Sequence, residues 1–67
     1  MKLEIIERGV DVILATRSSD NGPIVIPRKN EVIHAQGNKY FVREVNHYYY
    51  RAMSGADDFI EVLVEAE

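Results

Sequence analysis

The sequence predicts a small all-β domain: a barrel or sandwich of five to six short antiparallel strands, formed by residues 1–67 as a single domain. Two observations predict this class. Short runs of β-branched and aromatic residues recur along the chain, and turn-forming residues separate them at fairly even intervals. Residues 27–45 show both features together, as a proline-led loop followed by two strands that meet at a glycine.

The first part of the chain predicts two strands. Residues 2–7 alternate in part, a turn signal follows at Gly9, and residues 10–16 are rich in β-branched side chains. A helix is the alternative, because apolar residues also recur at helical spacing: Leu3, Ile6, Val10, Ile13 and Leu14. The glycine in the middle and the β-branched content favour the strands.

A loop and a brief strand come next. Residues 18–23 contain only residue types that favour turns, each through its own backbone or side-chain preference. Residues 24–26 form a short β run that Pro27 closes. Because proline cannot donate a hydrogen bond to a ladder, we expect this run at an edge or in a loop that leads to the next strand.

A hairpin follows in the middle of the chain. Residues 31–35 and 39–45 are its two strands, and residues 36–38 supply the turn. Gly37 is free to adopt the positive φ that tight hairpin turns require. We expect Tyr40 and Val42 to share one face of the second strand.

The last part of the chain predicts a continuing strand over residues 47–51, a loop over residues 53–58 and a final strand over residues 59–65. On that final strand one face is fully aliphatic: Ile60, Val62 and Val64. Phe59 and Leu63 point to the opposite face. Such surplus apolar side chains could fill a closed barrel or pair subunits.

Composition restricts the classes of protein that this chain can form. The hydrophobic fraction of 46% is typical of a folded domain, and no apolar run approaches the ~20 residues of a membrane-spanning helix. Acidic residues near the start are unlike a signal peptide, so we expect a cytoplasmic protein without membrane contact. The sequence has no cysteine, which excludes disulfides. Since a 67-residue core is marginal, self-association is an expected source of stability.

Charge is distributed unevenly. Residues 17–51 carry six basic and three acidic side chains, whereas residues 52–67 carry five acids and no base, within a net charge of -3. The basic middle and the acidic end could meet within one molecule or across a subunit boundary. The net acidity disfavours general nucleic-acid binding and leaves open a local anion site in the middle segment.

Catalytic and metal-binding patterns are absent from the sequence. His34 and His47 lie thirteen residues apart without a metal-site signature, and no nucleophile elbow surrounds Ser18 or Ser19. The four glycines are isolated and form no phosphate-binding loop. We therefore expect a protein that is not an enzyme and has no cofactor and no metal.

Three consecutive tyrosines, Tyr48, Tyr49 and Tyr50, lie between His47 and Arg51. Their rings could stack on a ligand or contact a protein, because tyrosine and arginine are enriched among the residues that dominate interface energies. The structural alternative is burial. An alternating strand would place either Tyr49 or the pair Tyr48 and Tyr50 in the core.

Arg28 and Lys29 lie at a predicted loop tip, where they could bind an anion or remain solvated. The candidate binding residues are thus Arg28, Lys29, His47, Tyr48, Tyr50 and Arg51. The favoured function is a non-enzymatic binding module that contacts a protein partner and self-associates. The alternative is a nucleotide-binding or nucleic-acid-binding protein that uses the same cations and rings.

The motif P-x-x-N-E-x-I-x-x-x-G-x-x-Y-x-V-x-x-V over residues 27–45 resembles small uncharacterised proteins encoded by bacteriophages and bacterial mobile elements. The resemblance covers about a quarter of the chain. It implies a compact SH3-like β-barrel. It also implies a protein that acts in the host cytoplasm by binding a host or partner protein. It provides no catalytic residue.

Overall fold

A computed structural model describes residues 1–50, 55 and 57–67, so Arg51 and most of the predicted loop at 53–58 lie outside the described residues. Five strands form one mixed sheet that curls into a nearly closed barrel. The strands are β1 (Lys2–Glu7), β2 (Val12–Ser18), β3 (Val32–Ala35), β4 (Asn38–Tyr48) and β5 (Phe59–Ala66). Their order across the sheet is β2-β1-β5-β4-β3. The predicted fold class, a small all-β barrel, is confirmed.

One strand pairing differs from the antiparallel arrangement that the sequence predicts. β1 pairs with β2, β3 with β4 and β4 with β5 in antiparallel fashion, but β1 and β5 are parallel. The backbone N–H of Lys2 donates to the carbonyl of Asp58 at 3.0 Å, so both strands start at the same end of the sheet. Parallel neighbours need a long connection, and here the β2, β3 and β4 strands lie between them in sequence.

The core lies on the concave face of the sheet, which we call the inner face. Of the residues that the structure describes, seven hydrophobic side chains are buried there: Leu3, Leu14, Tyr40, Val42, Ile60, Val62 and Val64. The predicted aliphatic face of the last strand is therefore confirmed, as is the shared face of Tyr40 and Val42. Phe59 and Leu63 point away from this core, as predicted, and remain half-buried on the outer face.

The β3–β4 hairpin turn links the two edges of the sheet. Gln36 and Gly37 form a two-residue turn, and both have positive φ, 52° and 80°, as a type I′ turn requires. The turn predicted at Gly37 is confirmed. The side-chain amide of Gln36 donates to the carbonyl of Leu14 on β2 at 2.9 Å. This bond connects the hairpin to the opposite edge strand and draws the sheet towards closure.

Residues 24–26, predicted as a short β run at an edge or in a loop, lie in a loop and pair with no strand in the described part of the chain. The alternation of this segment nevertheless has a structural role. Ile24 and Ile26 pack against the core, while Val25 is 87% exposed. The prolines that flank the run have no backbone N–H to donate to a neighbouring strand. The segment therefore packs against the core without joining the sheet.

The second strand begins later than predicted, at Val12 instead of Val10. Residues 8–11 form the turn between β1 and β2, in which Gly9 and Asp11 adopt positive φ of 87° and 54°. Val10 therefore belongs to the turn and is exposed. The helical alternative for this part of the chain is wrong, since β1 and β2 are strands.

Val62→Ala should lower the free energy of unfolding by about 2 kcal/mol, because the removed methyl groups leave a cavity in the central strand. Val62 is fully buried. Val25→Ala makes the same chemical change at an exposed position and should alter stability by less than about 0.5 kcal/mol. Urea denaturation monitored by tyrosine fluorescence measures both values, and equal effects of the two substitutions would contradict the assignment of the core.

Candidate protein-binding surface

The three tyrosines lie where β4 ends. The last register pair between β4 and β5 joins Tyr48 to Phe59, so Tyr49 and Tyr50 have no strand beside them in the described chain. The side chains of Tyr48, Tyr49 and Tyr50 are 42%, 72% and 50% exposed. The predicted burial of Tyr49, or of the other two, is wrong, as is the continuation of the strand through Tyr49 and Tyr50. The buried core does not extend to these three rings.

Two aromatic stacks order these rings. The ring of His47 stacks on that of Tyr49 with centroids 6.2 Å apart, and Tyr48 stacks on Phe59 with centroids 5.7 Å apart. His47 is paired with Ile60 of the inner face, whereas Tyr48 is paired with Phe59 of the outer face. The stacks therefore lie on opposite faces of the same strand end. We call His47, Tyr48, Tyr49 and Tyr50 the aromatic surface.

Carboxylates flank the aromatic surface. The backbone N–H of Tyr50 donates to Oδ1 of Asp58 at 3.1 Å, which fixes the chain beyond the end of β4. The ammonium group of Met1 lies 3.8 Å from Oδ2 of the neighbouring Asp57. A shallow groove joins these groups; its lining includes Lys2, Tyr50, Asp57, Asp58 and Phe59.

Arg28 and Lys29 lie in a tight turn beside the middle of β4. The backbone N–H of Arg28 donates to the Glu31 carboxylate, and the Glu31 N–H donates back to the Arg28 carbonyl at 3.1 Å. Asn30 and Glu31 each bond to the backbone of Val42 at 2.9 Å. Both cationic side chains are exposed, and neither has a carboxylate within 4 Å in the described chain.

Below this turn, one side of β4 has no neighbouring strand. β3 pairs only with residues 38–41 of β4, and the backbone bonds from Asn30 and Glu31 reach no further than Val42. In the part of the chain that the structure describes, residues 43–48 therefore pair with β5 alone. We call this segment the free edge.

The free edge places the predicted site residues at its two ends. Arg28 and Lys29 lie at the Val42 end, and His47, Tyr48 and Tyr50 lie at the other. Six residues separate Val42 from Tyr48, which is roughly 20 Å along a strand. The cations and the rings thus form no single pocket, but they bound one linear segment. Arg51 lies outside the described residues.

Other cations of the basic middle pair with the acidic end of the same chain. Arg43 lies 3.3 Å from Glu65, and Lys39 lies 3.5 Å from Glu67. Arg8, from the first part of the chain, also lies 3.6 Å from Glu65. The predicted meeting of the two segments therefore takes place within one molecule. These exposed pairs contribute little stability, but they reduce the positive charge available to a ligand.

The outer face carries three rows of side chains that run across the strands, and only the first of them spans β2, β1, β5 and β4. The acidic row consists of Thr16, Glu4, Glu61 and Asn46. The apolar row consists of Ile13, Ile6 and Leu63. The cationic row consists of Arg8, Glu65 and Arg43, linked by ion pairs. The surplus apolar residues that the sequence predicts thus remain outside the core, and Ile13 is 53% exposed.

Sequence reasoning missed two features of this surface. The first is Phe59, on whose ring Tyr48 stacks. Its position on the face of the last strand opposite the aliphatic face could have indicated a surface role. The free edge depends on how short β3 is beside β4, which no local pattern indicates.

Asp58→Ala should increase the hydrogen-exchange rate of the Tyr50 amide by about fivefold, because the only described hydrogen bond of that amide is lost. Asp57→Ala is the matched control, since its carboxylate faces the Met1 ammonium instead. NMR-detected exchange measures both. An unchanged Tyr50 amide in the first variant would show that Asp58 does not hold the aromatic surface.

The described residues contain no group of three or more side chains suited to a metal ion, and none of their helices is long and apolar enough to span a membrane. Comparison of the chain with protein-family models, with curated proteins and with solved structures found no match in any of the three.

Proposed function

We propose that this chain is a non-enzymatic protein-binding module whose aromatic surface contacts the partner. The exposure of three consecutive tyrosines carries this proposal, because a domain this small could have used those rings for its core. Tyrosine is enriched among the residues that dominate interface energies. The two stacks already order the rings, which lowers the entropy lost on binding.

The resemblance of residues 27–45 to proteins of phages and mobile elements supports a binding role. Proteins of that kind often inhibit host enzymes, sequester nucleotide signals or serve in assembly. Of these roles we propose the first, with a host protein in the cytoplasm as the partner. The absence of cysteine is compatible with that compartment.

The nucleotide-binding alternative has weaker support. Asp57 and Asp58 flank the aromatic surface, and carboxylates beside stacked rings oppose the approach of a phosphate. Of the cations in the basic middle, Lys39 and Arg43 are already paired with glutamates. Nucleic acid therefore enters only as an outcome of the test below.

Replacing Tyr48 and Tyr49 together by alanine should weaken partner binding by about 30-fold or more, which corresponds to a typical hot-spot loss of roughly 2 kcal/mol. The partner is first captured from an extract of the source cells on the immobilised wild-type chain and is then titrated by calorimetry. The double phenylalanine variant keeps the rings and should bind within a few-fold of wild type.

Val25→Ala is the control for a substitution elsewhere on the surface, because this side chain is 87% exposed and far in sequence from the tyrosines. Equal affinity of the double alanine variant and wild type would refute the proposed role of the aromatic surface. Capture that disappears after nuclease treatment, together with binding of a labelled oligonucleotide, would favour the alternative.

We also propose that two copies of the chain associate through the outer face. The apolar row supplies the contact, since half-buried Ile6 and Leu63 and exposed Ile13 form a continuous strip across three strands. Covering such a strip removes apolar surface from water, and two-fold self-complementarity is the commonest way to cover it.

Charge selects the orientation of the two copies. If the two-fold axis ran along the strands, each row would face itself, and Glu4 and Glu61 would meet the acidic row of the second copy. If the axis runs along the apolar row, each strand faces its own copy in the reverse direction. Glu4 then lies opposite Arg8 of the second copy, the residue that follows β1. On β5, Glu61 lies opposite Glu65 of the second copy, whose carboxylate is paired with Arg8 and Arg43 of its own chain. The second arrangement is favoured because Glu4 then meets an arginine instead of another carboxylate.

Charge reversal tests this arrangement. Glu4→Arg alone and Arg8→Glu alone should each weaken self-association at low salt by about fivefold or more, since each puts like charges together. The double variant should restore it. Sedimentation equilibrium up to about 1 mM chain measures the effect.

Ile13→Lys should abolish the dimer without touching the core, because this side chain lies on the edge strand and is exposed. Tyr49→Ala should leave the dimer unchanged. A wild-type chain that stays monomeric throughout, or a double variant that fails to restore the single losses, would exclude the outer-face dimer without affecting the proposal for the aromatic surface.

A further inference from the structure

We propose that the free edge binds an extended peptide segment of the partner by strand addition. The peptide runs antiparallel to β4 and places an acidic residue at its carboxyl end beside Arg28 and Lys29. This inference rests on the proposed protein-binding function and names the kind of segment that the partner presents. In this proposal, the two cations and the aromatic surface belong to one peptide-binding site.

The direction of the backbone groups on β4 supports strand addition. The carbonyl of Val64 points towards β1 and accepts a hydrogen bond from the Arg8 N–H at 2.8 Å. Val62 lies two residues earlier on β5, so its backbone N–H and C=O also point towards β1. Val45 is opposite Val62, so the two form a pair that exchanges no hydrogen bonds, and the N–H and C=O of Val45 point away from β5.

The same argument applies to His47, which is opposite Ile60. Val45 and His47 therefore each present a backbone N–H donor and a C=O acceptor on the side of β4 that faces away from β5. No other backbone segment in the described chain bonds to them. Unpaired edges of this kind bind extended chains, and main-chain hydrogen bonds then provide affinity.

Side chains around the free edge define the peptide residues. Val45 lies on the inner face and is half-buried against the core. His47 follows on the same face with Tyr49 stacked on it. Peptide residues opposite these positions meet apolar and aromatic surface, so we infer aliphatic or aromatic side chains there. Their neighbours point to the outer face, towards Glu44 and Asn46, and are polar.

The charge of the Val42 end sets the direction of the peptide. Arg28 and Lys29 are exposed there without a carboxylate partner in the described chain. Antiparallel pairing is more stable per residue than parallel pairing, and it directs the carboxyl end of the peptide to this turn. Such a peptide lies in line with β3, which is also antiparallel to β4. An acidic residue at that end completes the ion pairs.

A fluorescein-labelled octapeptide of alternating threonine and valine, ending in two aspartates, is the probe. Fluorescence polarisation against the full chain should show saturable binding, and the same peptide ending in two lysines should bind at least about tenfold more weakly. Arg28→Glu combined with Lys29→Glu should reverse this preference. Arg17→Glu, a single reversal of an exposed cation on β2, should leave the preference for the aspartate peptide in place.

Backbone methylation separates strand addition from a side-chain contact alone. Two further probes carry N-methyl groups on alternate residues, one set facing β4 and the other facing solvent. Only the probe whose N-methyl groups face β4 should bind more weakly, by about tenfold or more, because methylation removes the N–H donors of the ladder. NMR shift changes should concentrate on the amides of Val45 and His47.

Equal binding of the two methylated probes, or an aspartate preference that survives reversal of both cations, would overturn strand addition. So would the absence of saturable binding by the aspartate peptide at millimolar concentration. None of these results would affect the alanine test of the tyrosines on the captured partner. Failure of the tyrosine test, in contrast, would remove the proposed function itself.

Discussion

The position of β5 between β1 and β4 is the constraint on which the rest of the structure depends. Ile60, Val62 and Val64 on its inner face are at most 1% exposed, and the strand is paired on both sides. β1 is also paired on both sides, but Leu3 is its only buried side chain in the described chain. The other strands are therefore arranged around β5, and each is less completely covered than β5 is.

That arrangement decides where the binding surfaces lie. β4 has eleven residues and β3 has four, so β4 extends well beyond β3 and its unpaired side becomes the free edge. β4 and β5 end together at the Tyr48–Phe59 pair, and the chain that follows carries the rest of the aromatic surface. The rows of the outer face stand on the far side of the sheet from the core, and Tyr48 shares that face.

Local patterns predicted the parts of the fold that depend on local chemistry. The alternation of Ile60, Val62 and Val64 predicted a core face because side chains in a strand alternate strictly. Gly37 predicted the hairpin because the turn needs positive φ. Ile24 and Ile26 show the limit of such patterns. They alternate as a strand would and pack against the core, but flanking prolines prevent a ladder.

Features that depend on distant segments could not be predicted in the same way. The parallel pairing of β1 with β5 follows from the order of all five strands. The exposure of Tyr49 follows from where β5 begins, since a ring beyond the last register pair has no core to enter. For the candidate site, the sequence identified residue types and missed their arrangement: it supplied cations and rings, whereas the length of β3 places them at opposite ends of one edge.

Stability and binding are linked in a domain of this size. A small core leaves little free energy to spare, and both proposed contacts cover surface that the isolated chain leaves incomplete. A peptide beside Val45 and His47 would complete the ladder of β4, and a second copy on the apolar row would cover Ile6 and Leu63. Any ligand that binds only the folded state stabilises that state in proportion to the logarithm of its concentration. The free edge of β4 and the apolar row are thus parts of the sheet that the isolated chain leaves uncovered, and each proposal assigns a partner that would complete one of them.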